Sequence, residues 1–222
     1  MKRIAVLVSG GGTNLQALID ARKRGELKNG EISAVISSKE GAYALERAKA
    51  AGIPGYVASR KDYSSSQAYT QALTALLKEL EIELVVLAGF LHILTGEIVA
   101  AFPNAVLNVH PALIPSFCGA GYYGLRVHEA VLARGVKVTG ATVHFVNEEP
   151  DGGPIILQKA VEVLTGDTPE TLQRRVMEQA EWIILPRAVS LFCQGKLQVE
   201  GRQVRVLQSC PPSGCGKGQG LC

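Results

Sequence analysis

The sequence predicts one α/β domain in three layers, a mostly parallel β-sheet flanked by helices. Three observations lead there. Short apolar runs at residues 4–8, 32–36 and 83–88 have the continuous hydrophobicity of strands buried on both faces. Stretches with apolar residues at helical spacing separate them, the alternation that builds parallel crossovers. The 222 residues are 47% apolar and 19% charged, enough for one large core and unlike a disordered chain.

The same numbers narrow the partners. A formal net charge of +3 is too slight to imply a nucleic-acid or membrane partner. No apolar run approaches the roughly 18 residues of a membrane span. Lys2 and Arg3 lead straight into a strand, without a signal-peptide layout. Five cysteines are an odd number, and Cys210, Cys215 and Cys222 crowd beyond residue 209 at spacings that fit no zinc module. A reducing, cytoplasmic setting, no metal and small-molecule partners are expected.

In chain order, the first strand (4–8) runs into Ser9-Gly-Gly-Gly-Thr-Asn14, and Leu15, Leu18 and Ile19 then mark one face of a helix. A glycine loop feeding a helix N-terminus exposes backbone N–H groups and suits a phosphate. It is no P-loop, since it has no lysine. The dinucleotide fingerprint wants a small residue where Leu15 stands and an acid after the next strand, which instead ends in Ser37-Ser-Lys39. A single phosphate on a smaller molecule is the expectation, with a structural tight turn as the alternative. Residues 42–51 form a helix closed by Gly52, and Ile53-Pro54 begins a return strand. Asp62 or Ser64 is the candidate cap of the next helix, whose Tyr69, Leu73, Leu76, Leu77 and Leu80 make a core stripe. The strand at 83–88 is followed by Gly89-Phe-Leu-His-Ile-Leu94, an apolar loop on which a flat aromatic ligand can lie.

Residues 105–110 are a further buried strand ended by Pro111. Side chains alternate along a strand, so Asn108 and His110 share a face at its carboxyl end, where open α/β sheets hold ligands. An amide beside an imidazole can stabilise an oxyanion and supply a proton. The same spacing also suits a capped strand end with a satisfied polar pair. Pro111, Pro115, Gly119, Gly121 and Gly124 punctuate a long loop of flap character. A helix at 125–132 and a strand at 138–146 follow. His144 on that strand is either a support for the site or a satisfied buried histidine.

Asn147-Glu-Glu-Pro-Asp151-Gly-Gly-Pro154 is turn-rich. Asp151 gains interest only if folding carries it to His110, where a carboxylate would raise the imidazole's pKa. After a last sheet strand at 155–163, Thr168 and Pro169 start a long helix that Pro186 should kink or split. Glu181 falls half a turn from Leu172, a solvated position by default. Residues 196–207 read as a surface hairpin turning at Glu200-Gly-Arg202. Residues 1–208 are expected to form the domain and 209–222 a disordered glycine- and cysteine-rich tail.

Taken together, the glycine loop, Leu87-Ala-Gly-Phe-Leu-His-Ile-Leu94, Asn108-Val-His-Pro111 and Asp151-Gly-Gly-Pro154 resemble the phosphoribosylglycinamide formyltransferase family. The likeness runs from about residue 2 to residue 208. It implies a single-domain, Rossmann-like formyltransferase fold, active as a monomer or homodimer without metal. It also implies transfer of a formyl group from 10-formyltetrahydrofolate, as co-substrate, to the amine of glycinamide ribonucleotide. Asn108 and protonated His110 would hold the oxyanion, and Asp151 would keep His110 cationic and relay a proton. Gly12, Thr13 and Asn14 would meet the phosphate and Glu181 the ribose, while Leu91, His92, Ile93, Leu94, Asn108 and Glu148 would line the folate site. His92 stands where some relatives carry arginine, and Ser66 near where an arginine binds the folate tail, so folate preference is expected to differ. Formyltetrahydrofolate deformylase would use the same Asn, His and Asp, usually behind a regulatory domain. Methionyl-tRNA formyltransferase would need a second, basic domain. A non-catalytic nucleotide-binding module would leave Asn108 and His110 without a task.

Overall fold

The computed structural model describes residues 1–207. Five parallel strands, β1 (Lys2–Val8), β2 (Gly30–Ser37), β3 (Gly55–Val57), β4 (Leu84–Leu87) and β5 (Val106–His110), are extended by β6 (Val138–Phe145) and β7 (Ile155–Glu162). The sheet order is β3-β2-β1-β4-β5-β6-β7. β6 pairs antiparallel with β5, and β7 antiparallel with β6. The hairpin of β8 (Leu197–Glu200) and β9 (Gln203–Val206) forms at the expected turn. The expected tail at 209–222 lies outside the described residues.

The apolar runs are continuous because both faces of the sheet are covered. On β1, Ile4, Val6 and Val8 enter one core, with residues of α1 (Thr13–Lys23), α2 (Tyr43–Ala50), α5 (Leu125–Arg134), α6 (Pro169–Val176) and α7 (Trp182–Cys193). The intervening Ala5 and Leu7 enter a second core with α3 (Ser66–Glu79) and α4 (Gly96–Ala101). The strand order runs outward in opposite senses from β1 and β4. That switch opens a crevice at their carboxyl ends, where the glycine loop and the 89–94 loop emerge.

Two local expectations are corrected. The cap of α3 is Ser65, whose Oγ accepts from the Ala68 N–H at 3.0 Å; Asp62 belongs instead to a 3₁₀ turn, Arg60–Asp62. The long C-terminal helix is interrupted before Pro186 rather than at it, by a π-helical turn at Met177–Glu181. Proline presses its ring on the carbonyl four residues earlier, here Trp182, and the helix takes up the misfit in the turn just upstream. The start of α6 is as expected. Thr168 accepts from the Thr171 N–H, Thr171 reciprocates, and Pro169 opens the first turn. Thr168→Ala should therefore cost about 1 kcal/mol in a urea unfolding series, with turnover unchanged. A midpoint that does not move would show that the cap is redundant.

Candidate active site

The pairing of β5 with β6 sets the site. Asn108 lies opposite His144, and His110 opposite Thr142. Thr142 Oγ1 donates to the Ala112 carbonyl at 2.7 Å and accepts from the Ile114 N–H at 3.1 Å, anchoring the first residues of the 111–124 loop. Asp151 reaches the same cluster from the β6–β7 connection. Its backbone is left-handed, φ 54°, which a short polar side chain tolerates. Gly153 then passes so close to the Phe145 carbonyl that any side chain there would overlap it. Next to it, the Phe145 N–H donates to the Pro154 carbonyl at 2.9 Å. The Asp-Gly-Gly-Pro motif is thus the backbone geometry that folds a carboxylate back onto the sheet.

Asp151 Oδ2 lies 3.5 Å from His110 Nδ1, and Oδ1 lies 3.5 Å from His144 Nε2. Asn108 Nδ2 donates to Asp151 Oδ1 at 3.3 Å and is 3.2 Å from His144 Nε2. The loop contributes two backbone groups: the Gly119 N–H donates to Asp151 Oδ2 at 2.9 Å, and the Phe117 carbonyl faces His110 Nε2 at 2.8 Å. A carbonyl only accepts, so Nε2 of His110 carries a hydrogen. His144 Nδ1 likewise donates to the Phe145 carbonyl at 2.8 Å.

Burial is the largest influence on His110 and holds its pKa below the ordinary histidine value. The Asp151 charge and the Phe117 carbonyl pull it upward, and His144 adds to the depression. Asp151 is also desolvated, which alone would raise its pKa. The hydrogen bond from His144, the His110 charge and the Gly119 N–H outweigh burial and keep the carboxyl below its usual range. The carboxylate is therefore the fixed charge of the site, and the imidazole the group that titrates. A third imidazole, His128 of α5, is fully buried, with no hydrogen-bond partner for either ring nitrogen. Burial, then the His110 charge, pushes its pKa down to about 4, so it is neutral at physiological pH. Sequence reasoning noted neither His128 nor the two loop backbone groups.

At the glycine loop, Gly12 caps α1 in a left-handed conformation, φ 71°, with α2 tight against it. A Cβ there would come within 2.6 Å of the Ala44 methyl. Thr13 and Asn14 begin the helix, so their N–H groups have no intrahelical acceptor. Thr13 Oγ1 contacts Met177 Sδ at 3.6 Å. The Asn14 side chain is buried and donates to Glu181 Oε2 at 2.6 Å. Glu181 is only 6% exposed, which overturns the solvated position inferred from helical spacing. The π turn that ends on Glu181 inserts a residue into the helical count and resets its phase, turning this side chain inward. Burial pushes its pKa up to about 7 against the opposing hydrogen bond from Asn14.

The residues expected to line the folate site sit across the crevice. Ser9 Oγ joins the two halves: it accepts from the Leu91 N–H at 3.0 Å and bonds Ser38 Oγ at 2.7 Å. Leu91 and Ile93 are exposed, Leu94 packs on the α3–α4 core, and His92 stands edge-on to Tyr69 and Phe90. Glu148 is exposed, beside Gly96 at the start of α4. Next to His92 lies a cavity of about 480 Å³ lined by Lys39, Arg60 and Lys61, with Glu40 and Asp62 also present. Arg60 Nη2 reaches Ser66 Oγ at 3.4 Å, so a guanidinium stands at this position although residue 66 is serine. A second cavity, about 310 Å³, lies between α7 and the turn after α1, around Arg24, Glu26, Trp182 and Pro186, and includes none of the predicted site residues.

An open α/β sheet with a glycine loop, an apolar loop and an amide–imidazole–carboxylate cluster at the carboxyl ends of its strands has the layout of an α/β enzyme whose ligands lie at the switch point. A model of the formyl transferase family matches residues 2–189, and the chain belongs to that family. It is 42% identical over 200 residues to phosphoribosylglycinamide formyltransferase of Haemophilus influenzae, covering 90% of this chain and 91% of that one. It is 47% identical over 197 residues to the trifunctional purine biosynthetic protein adenosine-3 of Gallus gallus, covering 89% of this chain but only 19% of that protein. The crystal structure of glycinamide ribonucleotide transformylase 1 from Symbiobacterium toebii superposes with a TM-score of 0.88 at 46% identity, covering 94% of this chain and 95% of that one.

Replacing Asp151 with asparagine removes the main influence that raises the His110 pKa, so the apparent pKa of the rate profile should fall. Activity that requires the imidazolium would then be lost at a lower pH than in the wild type. An unchanged profile would show that the carboxylate does not act on the ring. Gly153→Ala, in turn, should lower thermal stability and turnover together; a variant normal in both would contradict the close approach to Phe145.

Proposed function

We propose that the chain transfers the formyl group of 10-formyltetrahydrofolate to the amine of 5'-phosphoribosylglycinamide, a step of purine biosynthesis. The observation that carries this reading is the convergence of Asn108, His110 and Asp151 at the end of β5, two strands from the glycine hook of β1. Neighbouring strands are about 4.8 Å apart, so these two ends are separated by roughly 10 Å. That suits one small molecule with a phosphate at one end and a nucleophile at the other. The names of the full-length relatives support the same substrates.

In this mechanism the phosphate meets the N–H groups at Gly12, Thr13 and Asn14, and Glu181 accepts from a ribose hydroxyl. The pteridine lies against Leu91–Leu94, Asn108 and Glu148, and the anionic folate tail runs toward Arg60. The amine attacks the formyl carbon, and the carbonyl electrons move onto oxygen. Asn108 turns one N–H from the Asp151–His144 pair to that oxygen, and His110 gives it the N–H now facing Phe117. Burial disfavours the imidazolium in the resting site, whereas the developing oxyanion favours it, so the interaction strengthens as the transition state forms. Asp151 takes a proton from the attacking nitrogen. Collapse of the intermediate breaks the bond to the folate nitrogen, which receives that proton.

Mixing the protein with formyl-folate and following folate absorbance, with and without the ribonucleotide, tests the assignment. Turnover should require the ribonucleotide. Turnover without it would make the protein a deformylase, and none in either case a binding module. His110→Ala should lower turnover by at least 100-fold, the usual weight of one general acid or oxyanion donor, with unchanged circular dichroism. Glu181→Gln keeps an acceptor oxygen but removes its charge, so it should raise KM for the ribonucleotide a few-fold, roughly the 1 kcal/mol by which a charged acceptor exceeds a neutral one, and leave KM for the folate unchanged.

A further inference from the structure

The glycine loop is held from behind, by three successive carbonyl groups each tied to a different donor. The Gly10 carbonyl accepts from the Ala44 N–H at 3.2 Å and the Gly12 carbonyl from the Gln16 N–H at 2.9 Å. Between them, the Gly11 carbonyl accepts from Arg47 Nε at 2.8 Å. In a trans peptide the N–H of the next residue points opposite to the carbonyl. Fixing these three carbonyls therefore aims each of the N–H groups of Gly11, Gly12 and Thr13 away from its own tether. None of the three donates to an acceptor among the described residues. A Cβ built on Gly10 or Gly11 meets nothing within 4 Å, so the loop is uncrowded at both residues. Consecutive N–H groups converging on open space form a nest for an anion.

Two of the three tethers are main-chain groups. The central one is a side chain, and its guanidinium is built into position. Arg47 Nη1 donates to Gln16 Oε1 at 2.9 Å, and the group lies 4.9 Å from the centroid of the Tyr43 ring. Among the described residues Arg47 forms no ion pair, so its charge stands beside the loop without a carboxylate to neutralise it. We infer that Arg47 is a positioning residue for the phosphate: it orients the Gly11–Gly12 peptide and supplies the fixed positive charge behind the nest. Lysine could supply the charge but not the planar fork that spans Gly11 and Gln16. This inference rests on the reading of the loop as the phosphate site of the ribonucleotide.

Steady-state kinetics on Arg47→Gln and Arg47→Lys test it. Arg47→Gln should raise KM for the ribonucleotide tenfold or more, with KM for formyl-folate and kcat within twofold of the wild type. Inorganic phosphate should raise the melting temperature of the wild type and leave that of Arg47→Gln unchanged. Arg47→Lys should fall between the two. An unchanged ribonucleotide KM in either folded variant overturns the inference. Should both variants fail to fold, NMR on the wild type decides. Inorganic phosphate should shift the Gly11, Gly12 and Thr13 amides and the Arg47 Nε–H, and no shift overturns the inference. A wild type that does not saturate with the ribonucleotide would instead defeat the functional reading on which the inference rests.

Discussion

A carboxylate taken out of water must be surrounded by donors, and Asp151 collects them from three separate parts of the chain. Asn108 comes from β5, His144 from β6, and the Gly119 N–H from the long loop after β5. The strand ladder and Thr142 bring these segments side by side, and the carboxylate joins their polar groups at one point. The register that places Asn108 beside His144, the left-handed residue at 151 and the bare backbone at Gly153 all serve that meeting. Remove the carboxylate, and the imidazole of His110 is left in a buried site that disfavours its charged form.

In the proposed mechanism the opposed electrostatics of the two partners have a chemical use. An imidazole fully committed to its charged form by a close carboxylate would gain little from a new negative charge nearby. His110 is held the other way, with burial ahead of attraction, so a developing oxyanion has something to stabilise. The loop makes the resting arrangement tolerable by offering one carbonyl and one N–H to the groups that the reaction needs. On that mechanism the incoming carbonyl oxygen takes the place of the Phe117 carbonyl at His110.

Much of this was legible in the sequence, because strands and glycine loops leave local signatures. Alternation alone puts Asn108 and His110 on one face, and the run from Val8 into three glycines announces a helix terminus turned toward a ligand. What remained hidden depends on geometry that no single residue type encodes. Asp-Gly reads as an ordinary turn, and only the close pass of Gly153 by Phe145 sends Asp151 inward. Glu181 was assigned to solvent because helical arithmetic assumes an unbroken period, which the π turn resets. The Phe117 carbonyl and the Gly119 N–H are main-chain atoms and have no residue signature at all. Ser65 displaced two neighbouring cap candidates of the same chemistry, a difference of position that composition cannot resolve.

The hydroxyl of Ser9 has a consequence of a different kind. It bonds at once to the loop after β4 and to the end of β2, while its own backbone leads into the glycine turn. One hydroxyl oxygen therefore ties together the ends of three strands, β1, β2 and β4, beside the main-chain bonds from Ser38 N–H to the Val8 carbonyl and from Ala88 N–H to the Leu7 carbonyl. On the function proposed above, spreading these loops to admit a bulkier pterin would also disturb the loop that meets the phosphate, so the two affinities would change together.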